Sequence, residues 1–330
     1  MHRQRFYNNN QTSSYQVLNR RHIRVKVMQS IYAMHQNGSD SIEKQEKFLL
    51  YSADNILDLY LVMLSSLIEI GKKEALFIEK SSQKHTATLQ EKNPNKKFIN
   101  NPILQLLSNN KSLISALIDR KINHWELHDE YLKILTEAIK ASDLYKKYMS
   151  NETNNFVEDK EFIINIFTDI IVPNDKFYEF LEDNNLTWID DIPVVNTHIV
   201  KQLNSIKSVK DTSFSLPKIF KDQEDKEFVS DLFKKTVLNE VEFAKEFVDK
   251  TPNWDSERIA ELDTIVLKMA ICEFLKFPSI PVKVTINEYL EIAKEYSTPK
   301  SSIFINGILD NLVKEFSTKN KLNKIGRGLM

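Results

Sequence analysis

A cluster of basic side chains follows Asn19, a residue type that commonly caps the N-terminus of a helix. The members of this cluster are Arg20, Arg21, His22, Arg24 and Lys26. Cations in a first helical turn face the positive end of the helix dipole, at a cost of roughly 0.3–1 kcal/mol each, and no acidic residue precedes Asp40. Guanidinium groups beside oriented backbone N–H groups are suited to binding phosphates. The cluster therefore predicts an anion-binding site, and a solvated charged face is the alternative.

One amphipathic helix is expected to carry this basic cluster. Between Leu18 and His35, apolar residues recur at steps of four, four and three, which is the spacing of a buried helical stripe. The residues of this stripe are Ile23, Val27, Ile31 and Met34. We therefore expect one face of the helix to pack on a core while its N-terminal end presents the basic side chains.

The composition is that of a globular protein from a reducing compartment. The 330 residues are 42% hydrophobic and 28% charged, enough for one large core or two domains. A single cysteine, Cys272, excludes an internal disulfide and favours a cytoplasmic protein. Residues 1–15 lack the apolar segment of a signal peptide, and no apolar run is long enough to cross a bilayer. The five glycines form neither GxGxxG nor GxxxxGK(S/T), which argues against dinucleotide-binding folds and P-loop ATPases.

Positive charge is concentrated towards the two ends of the chain. Residues 1–39 carry +6 and the segment after Glu315 carries +4, so the remainder of a chain of net charge −1 carries −11. Both ends are suited to an anionic partner, whereas the middle is not. We hypothesise that the acidic middle adds a protein-facing surface.

The hydrophobic periodicity predicts an all-α fold, because no stretch shows the sustained alternation of a strand. Helical patterns are found at residues 41–84, 103–118, 125–149 and 256–276. Pro278 ends the last of these, and Pro281 opens the next helix. Thr298 and Pro299 have the pattern of the N-cap and first residue of the final helix.

An internal repeat lies within the helical region. The run EDKEF at residues 158–162 recurs at 224–228, 66 positions later. At the same offset and without a gap, Phe177 matches Phe243 and Trp188 matches Trp254. We infer a partial duplication of a unit made of helix, short turn, helix, tryptophan and helix.

Other residues that could carry chemistry have plainer interpretations. His124 and His128 are spaced to share a metal, but Trp125 stands where a zinc-protease motif requires Glu. Cys272 lies among apolar helical residues and is interpreted as a buried side chain, and the acidic run at 224–227 is interpreted as a solvated face. We therefore expect no catalytic residue, no metal site and no cofactor.

Gly307 interrupts the pattern of the final helix, where glycine costs about 1 kcal/mol relative to alanine. A helix retains such a residue where a side chain would obstruct a close approach. We interpret Gly307 as a site of close helix packing, and the close approach of a ligand is the alternative.

Two separated stretches carry long, specific motifs. The first is Arg20–Tyr32, and the second is Asp255–Leu312, which contains IPVKVTINE at 280–288 and FINGILD at 304–310. The first is similar to the arginine-rich first helix, and the second to the C-terminal half, of the NusB family of bacterial transcription antitermination factors. The resemblance covers residues 18–36 and 222–316, about a third of the chain.

The resemblance implies a pair of small helix bundles and no enzyme activity. It implies binding of boxA-like single-stranded RNA jointly with a NusE-type small-subunit ribosomal protein, within an RNA polymerase antitermination complex. Together with the basic cluster, it predicts RNA contacts from Arg20, Arg21, His22, Arg24, Lys26, Tyr32, Lys300 and Phe304. Asp263 and Tyr32 are the predicted contacts of the protein partner. Lys300 stands where family members often carry an acid, which favours RNA.

The predicted layout is a NusB-like domain interrupted by a large, partly duplicated helical region. It consists of a polar disordered tail at 1–17, the arginine-rich helix at 18–36, a helical insertion with the internal repeat at 37–217, NusB-like C-terminal helices at 218–316 and a basic tail at 317–330. The alternative function is a helical protein–protein scaffold whose basic helix docks an acidic partner. RNA methyltransferases that carry NusB-like domains would need a glycine-rich cofactor loop, which this sequence does not offer.

Overall fold

The computed structural model describes residues 16–151, 155–208, 214–248, 250 and 260–329. Over these residues the protein is all-α, which confirms the predicted fold class, and the β-type pairing found there is an isolated bridge between Gln16 and Lys218. None of the helices in this part of the chain is both long enough and apolar enough to span a membrane.

Sixteen α-helices follow one another along the described residues. They are α1 (Arg20–Gln36), α2 (Ile42–Ser82), α3 (Leu89–Lys92), α4 (Pro102–Ser108), α5 (Lys111–Asp119), α6 (His124–Leu127), α7 (Asp129–Ala141), α8 (Asp143–Ser150), α9 (Phe156–Ile166), α10 (Asp175–Asn184), α11 (Ile192–Ser205), α12 (Gln223–Leu238), α13 (Glu240–Val248), α14 (Glu261–Lys276), α15 (Val282–Tyr296) and α16 (Ser301–Thr318). A π-helical turn at Phe167–Ile171 extends α9, and short 3-10 helices lie at Leu186–Trp188 and Gly326–Leu329.

The chain divides into two compact units. The first, called the α1 unit below, comprises residues 18–53 and 220–329, so that α1 belongs with α12 to α16. The second, called the insertion unit, comprises residues 54–219 together with residues 16–17. Both stretches that carry the family resemblance therefore belong to the α1 unit.

Helix α14 forms the centre of the α1 unit. Nearly every side chain from Ile265 to Phe274 is buried, as expected for a helix that is surrounded by others. It contacts α1, α12, α13, α15 and α16. Burial of its apolar side chains is the main stabilising contribution in this unit, at roughly 25 cal/mol per Å² of apolar surface removed from water.

Within the insertion unit, two tryptophans hydrogen-bond to the backbone of α2. The Trp125 Nε1–H donates to the carbonyl oxygen of Val62 at 3.1 Å, and the Trp188 Nε1–H donates to that of Asn55 at 3.1 Å. The ring of Trp125 also stacks on Phe177, with 5.8 Å between centroids. Each indole therefore buries its large apolar area with its single polar group satisfied.

The helices recur in the order and spacing of the sequence repeat. Helix α9 with its π-helical turn, α10 and α11 are followed about 66 positions later by α12, α13 and α14. The paired residues Phe162 and Phe228 are both buried, as are Phe177 and Phe243. Trp254, the expected counterpart of Trp188, lies outside the described residues.

Some predicted helix boundaries were wrong. The stretch predicted as one helix at 103–118 breaks between α4 and α5, because the side chain of Asn110 accepts from the N–H of Leu113 and caps a new helix. The stretch 125–149 breaks likewise at His128 and Ser142. Helix α16 begins at Ser301 rather than Pro299, and Lys300 occupies its N-cap position.

Candidate nucleic-acid interface

Asn19 begins α1 in the way that the sequence predicts. Its side-chain oxygen accepts from the N–H groups of Arg21 and His22, at 2.9 and 3.0 Å. The Nδ1 atom of His22 accepts from the N–H of Asn19 at 3.3 Å, which completes a capping box. His22 therefore serves the helix terminus, and the basic side chains around it are held in a fixed helical register.

Arg20 is held by two carboxylates of α12 and by an aromatic ring. Its Nε donates to Asp225 at 2.8 Å and its Nη2 to Glu224 at 2.6 Å, while its guanidinium lies 5.0 Å from the centroid of Phe228. Burial disfavours the charge, but the hydrogen bonds and charges of the two acids outweigh it and raise the pKa of Arg20. The acidic run at 224–227 is thus more than a solvated face, because Asp225 is buried.

Arg21 pairs with α15. Its Nε and Nη2 atoms donate to the two carboxylate oxygens of Glu288, both at 2.9 Å. This two-pronged geometry matches the fork of the guanidinium to the plane of the carboxylate. Arg21 therefore ties the first turn of α1 to α15.

Arg24 lies at the centre of a buried polar network and is 1% exposed. Its Nε and Nη2 atoms donate to Glu273 of α14 at 2.6 and 3.0 Å. The same carboxylate accepts from the hydroxyls of Tyr289, at 2.8 Å, and Thr285, at 3.0 Å. Burial opposes the charge of Arg24, but the charge of Glu273 and its hydrogen bonds raise the pKa of Arg24 well above its ordinary value. The network joins α1, α14 and α15 through a single carboxylate.

Acids that are distant in sequence therefore compensate for the cations of α1. The absence of an acid before Asp40 suggested uncompensated charge, but the tertiary structure brings carboxylates from α12, α14 and α15 to this helix end. Three arginines face four acids, which are Glu224, Asp225, Glu273 and Glu288. The N-terminal end of α1 is thus an ion-pair network whose exposed edge is formed by Arg20 and Glu224.

The remaining predicted contacts along α1 differ in exposure. Lys26 is buried, and its Nζ donates to the Ser52 hydroxyl at 3.2 Å. Tyr32 is exposed and lies two turns beyond Arg24, roughly 12 Å along the helix axis. Its aromatic ring is therefore presented to solvent at a distance from the arginines.

A second group of predicted residues surrounds the start of α16. Asp263 is buried and accepts from the hydroxyls of Ser297 and Ser301, at 2.6 and 2.7 Å. Lys300 is exposed at the helix N-cap, and Phe304 lies one turn further along and is half-buried. The geometry thus places Asp263 beneath the turn that presents Lys300.

Gly307 lies on the exposed side of α16. A Cβ atom added there would meet nothing within 4 Å, so the interpretation of close helix packing was wrong. Ile303, one turn earlier, is 77% exposed. This face of α16 therefore combines a cation, an exposed aliphatic side chain and a glycine.

The described part of the C-terminal tail is packed on the α1 unit. Lys321 pairs with Glu246 at 2.7 Å, and the Nζ of Lys324 donates at 3.0 Å to the carbonyl oxygens of Glu273 and Phe277 at the end of α14. Burial lowers the pKa of Lys324 to about 8. These two lysines thus serve internal contacts.

Among the described residues, no group of three or more His, Cys, Asp or Glu side chains converges to form a metal site. His124 instead packs against Trp188, and His128 against Phe180.

The C-terminal part of the chain is similar to known proteins. A sequence model of the NusB family matches residues 196–314. The transcription antitermination protein NusB of Salinibacter ruber is 43% identical over 110 residues, which are 33% of this chain and 68% of that protein. The chain belongs to the NusB family. The family match starts within α11 and ends within α16, so α1 lies outside it and joins the NusB helices through tertiary packing.

Two further NusB proteins are similar to this chain. That of Chloroherpeton thalassium is 40% identical over 105 residues, covering 32% of this chain and 50% of that protein. That of Finegoldia magna is 44% identical over 88 residues, covering 26% of this chain and 64% of that protein. The chain thus spans between half and about two thirds of the NusB proteins that it matches. No solved structure matches it.

The acids around α1 are the residues that sequence reasoning missed. Asp225 carried a signal, because Asp159 occupies the same position of the repeat and is also buried, accepting from the Tyr148 hydroxyl at 2.5 Å. Glu273 also carried a signal, because it interrupts an apolar run between Cys272 and Phe274, which is the pattern of a buried acid. Glu288 carried none, because it stands in a helix with other charged residues nearby.

Proposed function

We propose that this chain is an RNA-binding transcription antitermination factor. It binds boxA-like single-stranded RNA together with a NusE-type ribosomal protein, within an RNA polymerase antitermination complex. The proposal is one of binding rather than catalysis. It rests on membership of the NusB family, because the relatives similar to this chain are named transcription antitermination proteins.

The observation that carries the proposal is the packing of α1 on the NusB-family helices. Arg20 and Arg21 lie at the end of α1, paired with α12 and α15. Both guanidinium groups are partly exposed although they pair with acids, so an RNA phosphate can compete for them at this helix end. Arg24 and Lys26 are buried, so their part in RNA binding is to hold α1 in place.

Aromatic side chains supply the second part of the interaction. Single-stranded RNA is read through unpaired bases that stack on aromatic rings. Tyr32 and Phe304 are the candidates, and Lys300 adds a cation one turn before Phe304. Asp263 supports the Lys300 turn and takes part in partner binding through that support.

The experiment is RNA binding measured by fluorescence anisotropy over a salt series. A boxA-like strand is compared with a scrambled strand, with and without the NusE-type protein. The variant Arg20→Gln/Arg21→Gln/Lys300→Gln is compared with Lys47→Gln, an exposed cation of the same unit that pairs with Glu43.

We expect the boxA-like strand to bind more tightly than the scrambled strand and the NusE-type protein to strengthen this binding. The triple variant should bind RNA more weakly than the wild type. Its salt slope should fall by about 0.7 for each phosphate contact removed from a single strand. Equal affinity for both strands, or equal RNA affinity of the triple variant and Lys47→Gln, would contradict the proposal. The scaffold function, in which α1 docks an acidic protein, would then be the one to pursue.

A further inference from the structure

The two carboxylates that hold Arg20 are in different environments. Asp225 is buried, with a side chain 6% exposed, and it binds the Nε edge of the guanidinium. Glu224 is on the surface, with a side chain 57% exposed, and it binds Nη2. A buried acid that loses its partner leaves a costly unpaired charge, whereas an exposed ion pair contributes little to stability.

The guanidinium of Arg20 is therefore held in place without Glu224. Asp225 fixes its Nε edge, and Phe228 lies 5.0 Å from it. The Nη2 atom points to the exposed carboxylate of Glu224, which is the position at which an oxyanion from outside would bind. A phosphate that replaced Glu224 would find the arginine already oriented.

The other arginines of α1 have different ion-pair partners. Arg21 donates through both prongs of its fork to Glu288, whose side chain is 21% exposed. Arg24 is buried and pairs with the buried Glu273 and, at 3.8 Å, with Glu288. Arg20 divides its fork between a buried acid and an acid that is 57% exposed.

We propose that Glu224 is an internal competitor of phosphate at Arg20 and thereby sets the RNA affinity of the protein. In the unbound protein, Glu224 occupies Nη2; on binding, an RNA phosphate takes its place while Asp225 keeps its bond to Nε. This inference rests on the proposed function, and it assigns to an acidic residue the role of limiting affinity.

The test is a double-mutant cycle read by RNA anisotropy at low salt. Glu224→Gln removes the competing charge from an exposed position and leaves Asp225 in place. Glu227→Gln is the matched control, because it removes the same charge from an exposed position one turn along α12, where the carboxylate accepts from Gln223. Arg20→Gln and Arg20→Gln/Glu224→Gln complete the cycle.

We expect Glu224→Gln to bind the boxA-like strand about two- to five-fold more tightly than the wild type, which is the upper part of the range that an exposed ion pair allows. The gain should shrink as salt rises, because screening weakens exposed pairs. It should vanish in the Arg20→Gln background, and Glu227→Gln should change affinity by less than about 1.5-fold.

Two results would overturn the inference while leaving the proposed function intact. One is wild-type RNA binding that weakens in Arg20→Gln but is unchanged in Glu224→Gln. The other is a gain that persists without Arg20, which would mean simple repulsion between Glu224 and RNA. If neither the wild type nor any variant binds RNA, the proposed function itself fails and the inference fails with it.

Discussion

Arg24 is a buried charged side chain that supports the helix end carrying Arg20 and Arg21 without being exposed there itself. Its guanidinium and the Glu273 carboxylate are both buried, and Tyr289 and Thr285 complete the hydrogen bonding of the acid. Such a pair adds little net stability over a well-packed apolar pair, but losing one member is costly. Its role is to set the position of α1 on α14 and α15.

Arg24→Met should therefore destabilise the protein by about 3–5 kcal/mol, because it leaves Glu273 charged, buried and unpaired. Urea unfolding measures this loss. The double variant Arg24→Met/Glu273→Gln should recover part of it, since glutamine keeps an acceptor for Tyr289 without the charge. A loss below about 1 kcal/mol in Arg24→Met would show that the pair does not anchor α1.

Gly307 gives a prediction of the opposite sign for stability. A Cβ atom there meets nothing, so Gly307→Ala should stabilise α16 by about 0.5–1 kcal/mol, measured as a higher melting temperature. We expect the same substitution to weaken assembly with RNA and the NusE-type protein, because the remaining explanation for the glycine is the close approach of a ligand. Asn311→Ala, on an exposed position of the same helix, is the control for binding. Unchanged binding in Gly307→Ala would leave the glycine without a role at this surface.

At the scale of helices, a histidine packed between two of them makes the stability of the protein depend on pH. His198 of α11 lies edge-on to Tyr60 of α2, with 5.9 Å between ring centroids. Burial, with a smaller contribution from Lys201, lowers the pKa of His198 to about 4. The folded state therefore holds this imidazole neutral while the unfolded chain takes up a proton near pH 6.5.

Stability should consequently fall as the pH drops from about 6.5 to 4, because only the unfolded state gains the proton in that window. The loss reaches up to about 3 kcal/mol. Urea unfolding at several pH values should show a shallower decline for His198→Phe, which keeps a ring against Tyr60. His85→Gln, at an exposed histidine, should follow the wild type. Parallel curves for the wild type and His198→Phe would contradict the assignment.

The segment after α16 is held by a contact that only glycine allows. A Cβ atom on Gly328 would lie 1.9 Å from the carbonyl oxygen of Pro278, and the N–H of Ile325 donates to that same oxygen at 3.1 Å. Gly328→Ala should therefore release this segment and speed trypsin cleavage after Lys321 and Lys324. Leu329→Ala, on an exposed side chain, is the control. Equal cleavage rates for the two variants would show that the segment adapts to the added methyl group.

At the scale of the whole molecule, two parts of the chain share the negative charge of its middle. The predicted insertion at 37–217 holds twenty-seven acids against twenty-one cations, a net −6. Residues 218–315 hold nineteen acids against fourteen cations, a net −5. This second segment contains the acids that pair with the arginines of α1, so part of its negative charge is used within the α1 unit.

The insertion unit remains the candidate for a further protein-facing surface. A variant in which a flexible linker replaces residues 54–219 should keep its RNA affinity and salt slope, because the ion pairs of Arg20 with Glu224, Arg21 with Glu288 and Arg24 with Glu273 lie within the α1 unit. We expect it to lose protein partners in a pull-down from cell extract. A folded variant that keeps every partner would refute the hypothesis of a protein-facing insertion, and one that loses RNA binding would show that the unit contributes to the site.

The sequence by itself determined the fold class, the cap of α1 and the family. Helical periodicity and the Asn19 cap depend only on residues close together in the chain, so they can be predicted from a single sequence. The motifs IPVKVTINE and FINGILD are long and ungapped, which allowed the family to be recognised over only a third of the chain. The order of the repeated helices could also be predicted, because a duplication preserves the spacing between matching residues.

Only the tertiary structure decided the electrostatics of the candidate site. Arg20 and Glu224 are 204 residues apart, and Arg24 and Glu273 are 249 apart, so no local pattern pairs them. Burial is likewise a property of packing. Arg20 and Arg24 are both arginines of α1, one turn apart, yet Arg24 is buried and Arg20 reaches solvent. Coulombic interactions depend on distance and local dielectric, which exist only once the helices have packed.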